Sequence, residues 1–132
     1  MELDTATLNQ IMPLGRHLGL ELVSASPERA VVTMAWAEHL CTAGGVLHGG
    51  ALMALADSVG GTVAFLNLPE GAATSTISSS SVFLRGVRAG TVTATGTLVH
   101  KGRSTIVVET EVTDEEGRAV ARTTQSQAVL DR

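Results

Sequence analysis

The chain has 132 residues, 44% hydrophobic and 17% charged, with a net charge of −4, which fits one domain with enough apolar content for a core and excludes a disordered chain. The acidic balance excludes a binder of phosphate backbones, and Trp36, Phe65 and Phe83, the only aromatic side chains, leave no platform for stacked bases. A lone cysteine, Cys41, excludes an internal disulfide and a cysteine zinc site.

The opening MELDTATLNQ carries acids where a signal peptide carries Lys or Arg. Asp57 and several glycines punctuate the longest apolar stretch before it reaches membrane-spanning length. The expectation is a soluble, cytoplasmic protein with neither membrane nor nucleic acid as partner. Residues Thr5 to Leu18 place Leu8, Ile11, Met12 and Leu14 at helical spacing, with Asp4 or Thr5 as N-cap and Pro13 dividing the segment. Leu20–Ser26 and Ala30–Trp36 alternate as two strands joined by the turn-forming run Ser26-Pro27-Glu28-Arg29. A loop from Glu38 to Leu47 leads into a long helix from about His48 to Leu66, closed by Leu68-Pro69-Glu70-Gly71.

Four strands follow. Ser75–Leu84 is rich in Ser, Thr and Val, and the turn Arg85–Gly90 leads to Thr91–Leu98. There Thr91, Thr93, Thr95 and Thr97 share one face and Val92, Ala94, Gly96 and Leu98 the other. Lys101-Gly102 turns into Ser104–Thr113, with Ile106, Val108, Thr110 and Val112 inward, and Asp114–Gly117 turns into Ala119–Leu130. Short turns make antiparallel neighbours, and a lone apolar helix beside them needs a sheet to wrap it. The fold class is therefore α+β: a single domain in which a curled antiparallel sheet encloses one helix, preceded by a helical segment over residues 1–18.

The chemistry concentrates in AGGVLHGGALMALADSVGGTVAFL, residues Ala43 to Leu66. Gly44, Gly45, His48, Gly49 and Gly50 can bring bare N–H groups to a ligand at a positive helix end. Asp57 interrupts an otherwise apolar helix, where a carboxylate kept from water needs a partner or a task. It works in a cavity, or Ser58, Thr62 or a backbone N–H satisfies it. His48 is either a site residue or a helix-start histidine bonded to a carbonyl, and Gly49 and Gly50 serve either a ligand or a tight turn.

His48-Gly49-Gly50 followed nine residues after the His by Asp57, in this element order, resembles the hotdog-fold acyl-CoA thioesterases, in particular the phenylacetate-pathway-like branch. Val82-Phe83-Leu84-Arg85 resembles that family's aromatic-Leu-Arg stretch. The resemblance implies hydrolysis of an acyl-CoA thioester without a cofactor. It makes Asp57 nucleophile or general base, the Gly49 N–H the donor to the thioester oxygen, and His48 a shaper of the site. It also implies dimers with shared sites, often paired into tetramers. Where the family often carries Asn or Gln, six residues before the His, stands Thr42. Gly61 replaces the Ser or Thr of one branch, and Thr76, next to Ser75, falls where another branch has Ser.

Helix geometry adds a constraint of its own. Eight residues set Gly49 and Asp57 about 12 Å apart along the axis and about 80° around it, so one chain cannot bring both to one carbonyl. A two-fold dimer can, twice. Arg85, Arg88, Lys101 and Arg103 lie in turns at sheet ends and are candidates for the phosphates of CoA, or are plain solvated turns. No Lys-Ser pair completes a phosphate loop, no G-x-S-x-G marks a serine hydrolase, and no His or Cys spacing suggests a metal. Two rival readings are a hotdog hydratase and a non-catalytic acyl-CoA-binding module, the latter motivated by Thr42.

Overall fold

The computed structural model describes residues 3–131; Met1 and Glu2, at the start of the N-terminal segment, and Arg132 lie outside the described residues. The elements run α1 (Thr5–Ile11), α2 (Leu14–Leu18), β1 (Glu21–Ala25), β2 (Arg29–Ala35), α3 (Gly49–Leu66), β3 (Ala73–Phe83), β4 (Thr91–Lys101), β5 (Thr105–Thr113) and β6 (Ala119–Leu130). Pro13 does divide the first helical segment, and Asp4 is the cap of α1, accepting the Thr7 N–H at 2.8 Å. That hydrogen bond holds the Asp4 carboxyl below the usual carboxylate range. The Glu38–Leu47 loop contains two 3₁₀ turns, Glu38–Leu40 and Ala43–Gly45.

The six strands among the described residues form one antiparallel sheet in the order β1-β2-β4-β5-β6-β3. The sheet wraps α3, whose Leu55, Ala56, Val59, Val63 and Ala64 are fully buried against Val92, Ala94, Val108 and Val112. Each Leu or Val among them contributes about 1.5–3 kcal/mol by leaving water, and each Ala less. By length and composition α3 is apolar enough to cross a membrane, which corrects the expectation that no stretch reaches that length; half of it is buried by the sheet.

Gly96 on β4 lets helix and sheet meet, since a Cβ there would stand 2.5 Å from Val59 Cγ1 and 3.1 Å from Thr110 Oγ1. We expect Gly96→Ala to cost about 1–3 kcal/mol by overpacking and to lower the Tm by several degrees. An unchanged melt would show that the helix has slack at this contact.

β3 is an edge strand with a bulge. Thr76 pairs with Gln127, but Ser78 pairs with Ser126, so Ile77 is the extra residue. Without the bulge, Thr76 and Phe83 would face opposite sides of the sheet, being seven residues apart. With it, both face α3, Thr76 at Asp57 and Phe83 at Gly49. The outer side of this edge is uncovered in the single chain and sets serines between exposed apolar side chains, with Ile77 61%, Val82 57% and Leu84 54% exposed. Beside it α3 presents an uncovered stripe of Gly50, Met53, Asp57 and Phe65 at helical spacing.

Candidate active site

The glycine-rich stretch before α3 is pinned from three sides. Trp36 Nε1 donates to the Gly45 carbonyl at 3.0 Å, Arg88 Nη1 to that of Gly44 at 2.7 Å, and the Leu47 N–H to Val87 at 2.9 Å. Gly44 and Gly45 have φ of 81° and 74°, a conformation that side chains resist.

α3 begins at Gly49, one residue later than the sequence suggests, because His48 is its N-cap in extended conformation. The His48 Nδ1 accepts the Gly50 N–H at 2.8 Å rather than bonding a carbonyl. A Cβ on Gly50 would stand 2.9 Å from that nitrogen, so Gly50 serves the cap. The cap consumes the Gly50 donor and leaves the Gly49 N–H, at the positive helix end, with no hydrogen-bond partner among the described residues. Phe83 lies over Gly49, its ring 3.2 Å from where a Cβ would be.

Two helical turns on, Asp57 is exposed in the single chain, which corrects the expectation of an acid kept from water. A helix pattern alone does not reveal that the stripe holding Asp57 lies beyond an edge strand. Asp57 Oδ1 accepts from Thr76 Oγ1 at 2.9 Å and from Gln125 Nε2 at 3.1 Å. Behind Thr76, Gln127 Nε2 donates to Thr76 Oγ1 at 2.8 Å, and the Thr74 hydroxyl is shared between the Ala128 carbonyl at 2.8 Å and Gln127 Oε1 at 3.1 Å. Neither alternative partner is used: Ser58 Oγ turns back to the Ala54 carbonyl and Thr62 Oγ1 to that of Ser58.

Asp57 lines a cavity of about 380 Å³ with Gly61, Phe65, Ser75 and Thr76, roofed by Leu8, Ile11 and Met12 of the N-terminal segment. The roof is tied to β1 and the residue before it: the Leu22 N–H donates to Thr5 Oγ1 at 2.9 Å, and Asn9 Nδ2 to the Leu20 carbonyl at 3.1 Å. A Cβ on Gly61 would meet nothing within 4 Å, so this glycine leaves room in the cavity.

The structure thus sorts the predicted residues into two half-sites. Asp57, Gly61, Ser75 and Thr76 stand around the cavity. Thr42, His48, Gly49, Gly50, Arg85 and Arg88 belong to the other end, where the glycine stretch, the start of α3 and the turn after β3 meet. Lys101 and Arg103 lie at the far end of β4, roughly 30 Å from Arg88, and join neither. Among the described residues no group of His, Cys, Asp and Glu could hold a metal ion. Sequence reasoning missed Gln125, Gln127 and the roof over the cavity. Thr123, Gln125 and Gln127 alternate along β6 and are buried together in the structure, but the neighbouring Arg122, Thr124 and Ser126 are polar too and mark no inward side in the sequence.

The thioesterase superfamily matches residues 44–121, from the glycine stretch to the first residues of β6, which takes in both Gly49 and Asp57. A 1,4-dihydroxy-2-naphthoyl-CoA hydrolase of Listeria monocytogenes is 33% identical over 104 residues, 79% of this chain and 85% of its own. A solved thioesterase of Haemophilus influenzae superposes with a TM-score of 0.91 at 28% identity, over 99% of this chain and 93% of its own. A hypothetical thioesterase of Streptococcus pneumoniae, solved with coenzyme A, superposes with a TM-score of 0.78 at 30% identity, over 86% of this chain and 87% of its own. The matched stretch holds the wrapped helix, its start capped by His48 and the acid two turns along it, and the chain belongs to the thioesterase superfamily, hydrolases of thioester bonds built on the hotdog fold.

Proposed function

We propose that this protein hydrolyses the thioester of small aromatic or short-to-medium acyl-CoA, in sites that each combine Asp57 of one protomer with the Gly49 N–H of another. The observation that carries this reading is the division of the site: a carboxylate at a cavity and an unengaged N–H at a helix start, on one rigid helix, too far apart to share a substrate carbonyl. A two-fold axis at the uncovered β3 edge would continue the sheet into a second copy. It would also run the two α3 helices antiparallel, with the start of one beside the middle of the other. The exposed apolar side chains of that edge support the same pairing.

In such a site the acyl group fills the apolar cavity and the Gly49 N–H stabilises the charge developing on the thioester oxygen. Asp57 supplies the electron pair, either directly to the carbonyl carbon or by taking a proton from the attacking water, and the coenzyme leaves as its thiol. Direct attack yields a mixed anhydride, and water opening it at the Asp57 carbonyl carbon puts ¹⁸O from the solvent into the Asp57 carboxylate in a single turnover, whereas activated water attacking the thioester labels only the product acid. Arg85 and Arg88, both exposed at the glycine end, are assigned to the CoA phosphates. The Listeria relative's 1,4-dihydroxy-2-naphthoyl substrate favours an aromatic acyl group, and the largely apolar lining of the cavity a neutral one.

A panel of acyl-CoA thioesters read by free-thiol release tests the reaction class. Release from benzoyl-, phenylacetyl- or hexanoyl-CoA is expected; water addition to an enoyl-CoA without thiol release would make the protein a hydratase, and binding without turnover an acyl-CoA-binding module. Gly61→Leu tests the cavity, because the new side chain projects into it from a helix that accepts leucine well. The KM for phenylacetyl-CoA should rise about tenfold or more, while acetyl-CoA is little affected. Equal effects on both would place the acyl group elsewhere.

A further inference from the structure

Asp57 is held asymmetrically. Both of its side-chain donors, Thr76 Oγ1 and Gln125 Nε2, reach the same oxygen, Oδ1, and among the described residues none reaches Oδ2. Thr76 Oγ1 is itself oriented, since the Gln127 amide occupies its acceptor side and turns its proton to Asp57. Gln125 does not line the cavity and is only 1% exposed.

Stability does not explain an amide at position 125. Its Oε1 is buried with no hydrogen-bond partner, a state that costs free energy and that an apolar side chain of the same size would avoid. Its seat is also specific: the amide lies across Gly60, where any Cβ would run into it. Gly60 is three residues beyond Asp57, so the amide is laid along the same face of α3 and aimed at the carboxylate.

We propose that Gln125 is a positioning residue: with Thr76 it clamps Oδ1 of Asp57 and so presents Oδ2 as the one reacting oxygen. The proposal rests on Asp57 being the reacting acid. Gln125 touches no substrate and acts only through the carboxylate, fixing its side-chain torsions so that Oδ2 meets the carbonyl carbon or the water at a constant angle. Thr76 holds the same oxygen from the strand side, so one oxygen is clamped from two elements of the fold.

The test is Gln125→Met in the full-length protein, which keeps the volume and removes the donor. Its kcat should fall about 10- to 100-fold, with KM within about twofold, while the melt stays level or rises because the orphan oxygen is gone. Combined with Asp57→Asn, the substitution should change the residual rate by less than about twofold, since nothing remains for it to position. Thr76→Val should lower kcat likewise and Thr76→Ser should restore it. If the methionine variant does not fold, Gln125→Leu gives the same comparison. Parental kcat with a lowered melt would make Gln125 a packing residue and overturn the proposal. The same loss in the Asp57→Asn background would overturn it too. Parental turnover by Asp57→Asn alone would instead overturn the assignment of the acid, and this proposal with it.

Discussion

Asp57→Asn should lower kcat by about three orders of magnitude, within the 10²- to 10⁴-fold range for loss of a positioned acid–base group. The expectation is this large because the substitution changes so little else. Asn keeps the shape of Asp, and its carbonyl oxygen can still accept from Thr76 and Gln125, whose donors lie 2.9 and 3.1 Å from Oδ1. What disappears is the anion, needed either as nucleophile or to take a proton from water. Because Asn is isosteric and keeps both acceptor contacts of Oδ1, the melt of the variant should stay within a few degrees of the parent. Purified variant with more than a tenth of parental turnover would remove Asp57 from the chemistry.

The second large effect is expected from Gly49→Pro, read against Gly49→Ala. Gly49 is the first residue of α3, the position where proline fits a helix and where its missing N–H breaks no helical hydrogen bond. The preceding His48 is extended, with ψ of 135°, as a residue before proline prefers. Proline therefore deletes the proposed oxyanion donor while keeping the helix. Alanine makes the same new contact with the Phe83 ring, 3.2 Å from the added carbon, but keeps the N–H. Loss of one such donor costs about 10²- to 10³-fold in kcat. Gly49→Ala should stay within several-fold of the parent; if the two variants are equally impaired, crowding of Phe83 is the cause and the donor has no part in it.

Much of this arrangement is legible in the amino-acid sequence. The alternation of Thr91 to Leu98 places β4 with Val92, Ala94 and Gly96 inward, and the apolar run after His48 can only be a helix that something wraps. The distance from Gly49 to Asp57 follows from helical rise alone. The rest depends on tertiary context. Asp57 stands at an uncovered stripe because β3 is an edge strand, and no pattern within α3 encodes which strand ends the sheet. The bulge at Ile77 carries no Gly or Pro to announce it, yet it decides that Thr76 and Phe83 face the same helix. Gln125 and Gln127 escape notice because β6 is polar on both faces over Arg122–Gln127, so hydrophobic alternation gives no inward side. α1 reads as a helix, but that it roofs a cavity follows only from its docking on β1.

Subunit complementation addresses the shared site most directly. Asp57→Asn and Gly49→Pro subunits, each nearly inactive alone, are mixed in equal amounts, unfolded and refolded together. A mixed dimer then holds one site with both defects and one with neither. Half of the dimers are mixed and half of their sites are whole, so about one quarter of parental activity should return. Recovery no greater than the sum of the two variants alone would place Asp57 and Gly49 in separate sites and contradict a carbonyl held between two chains.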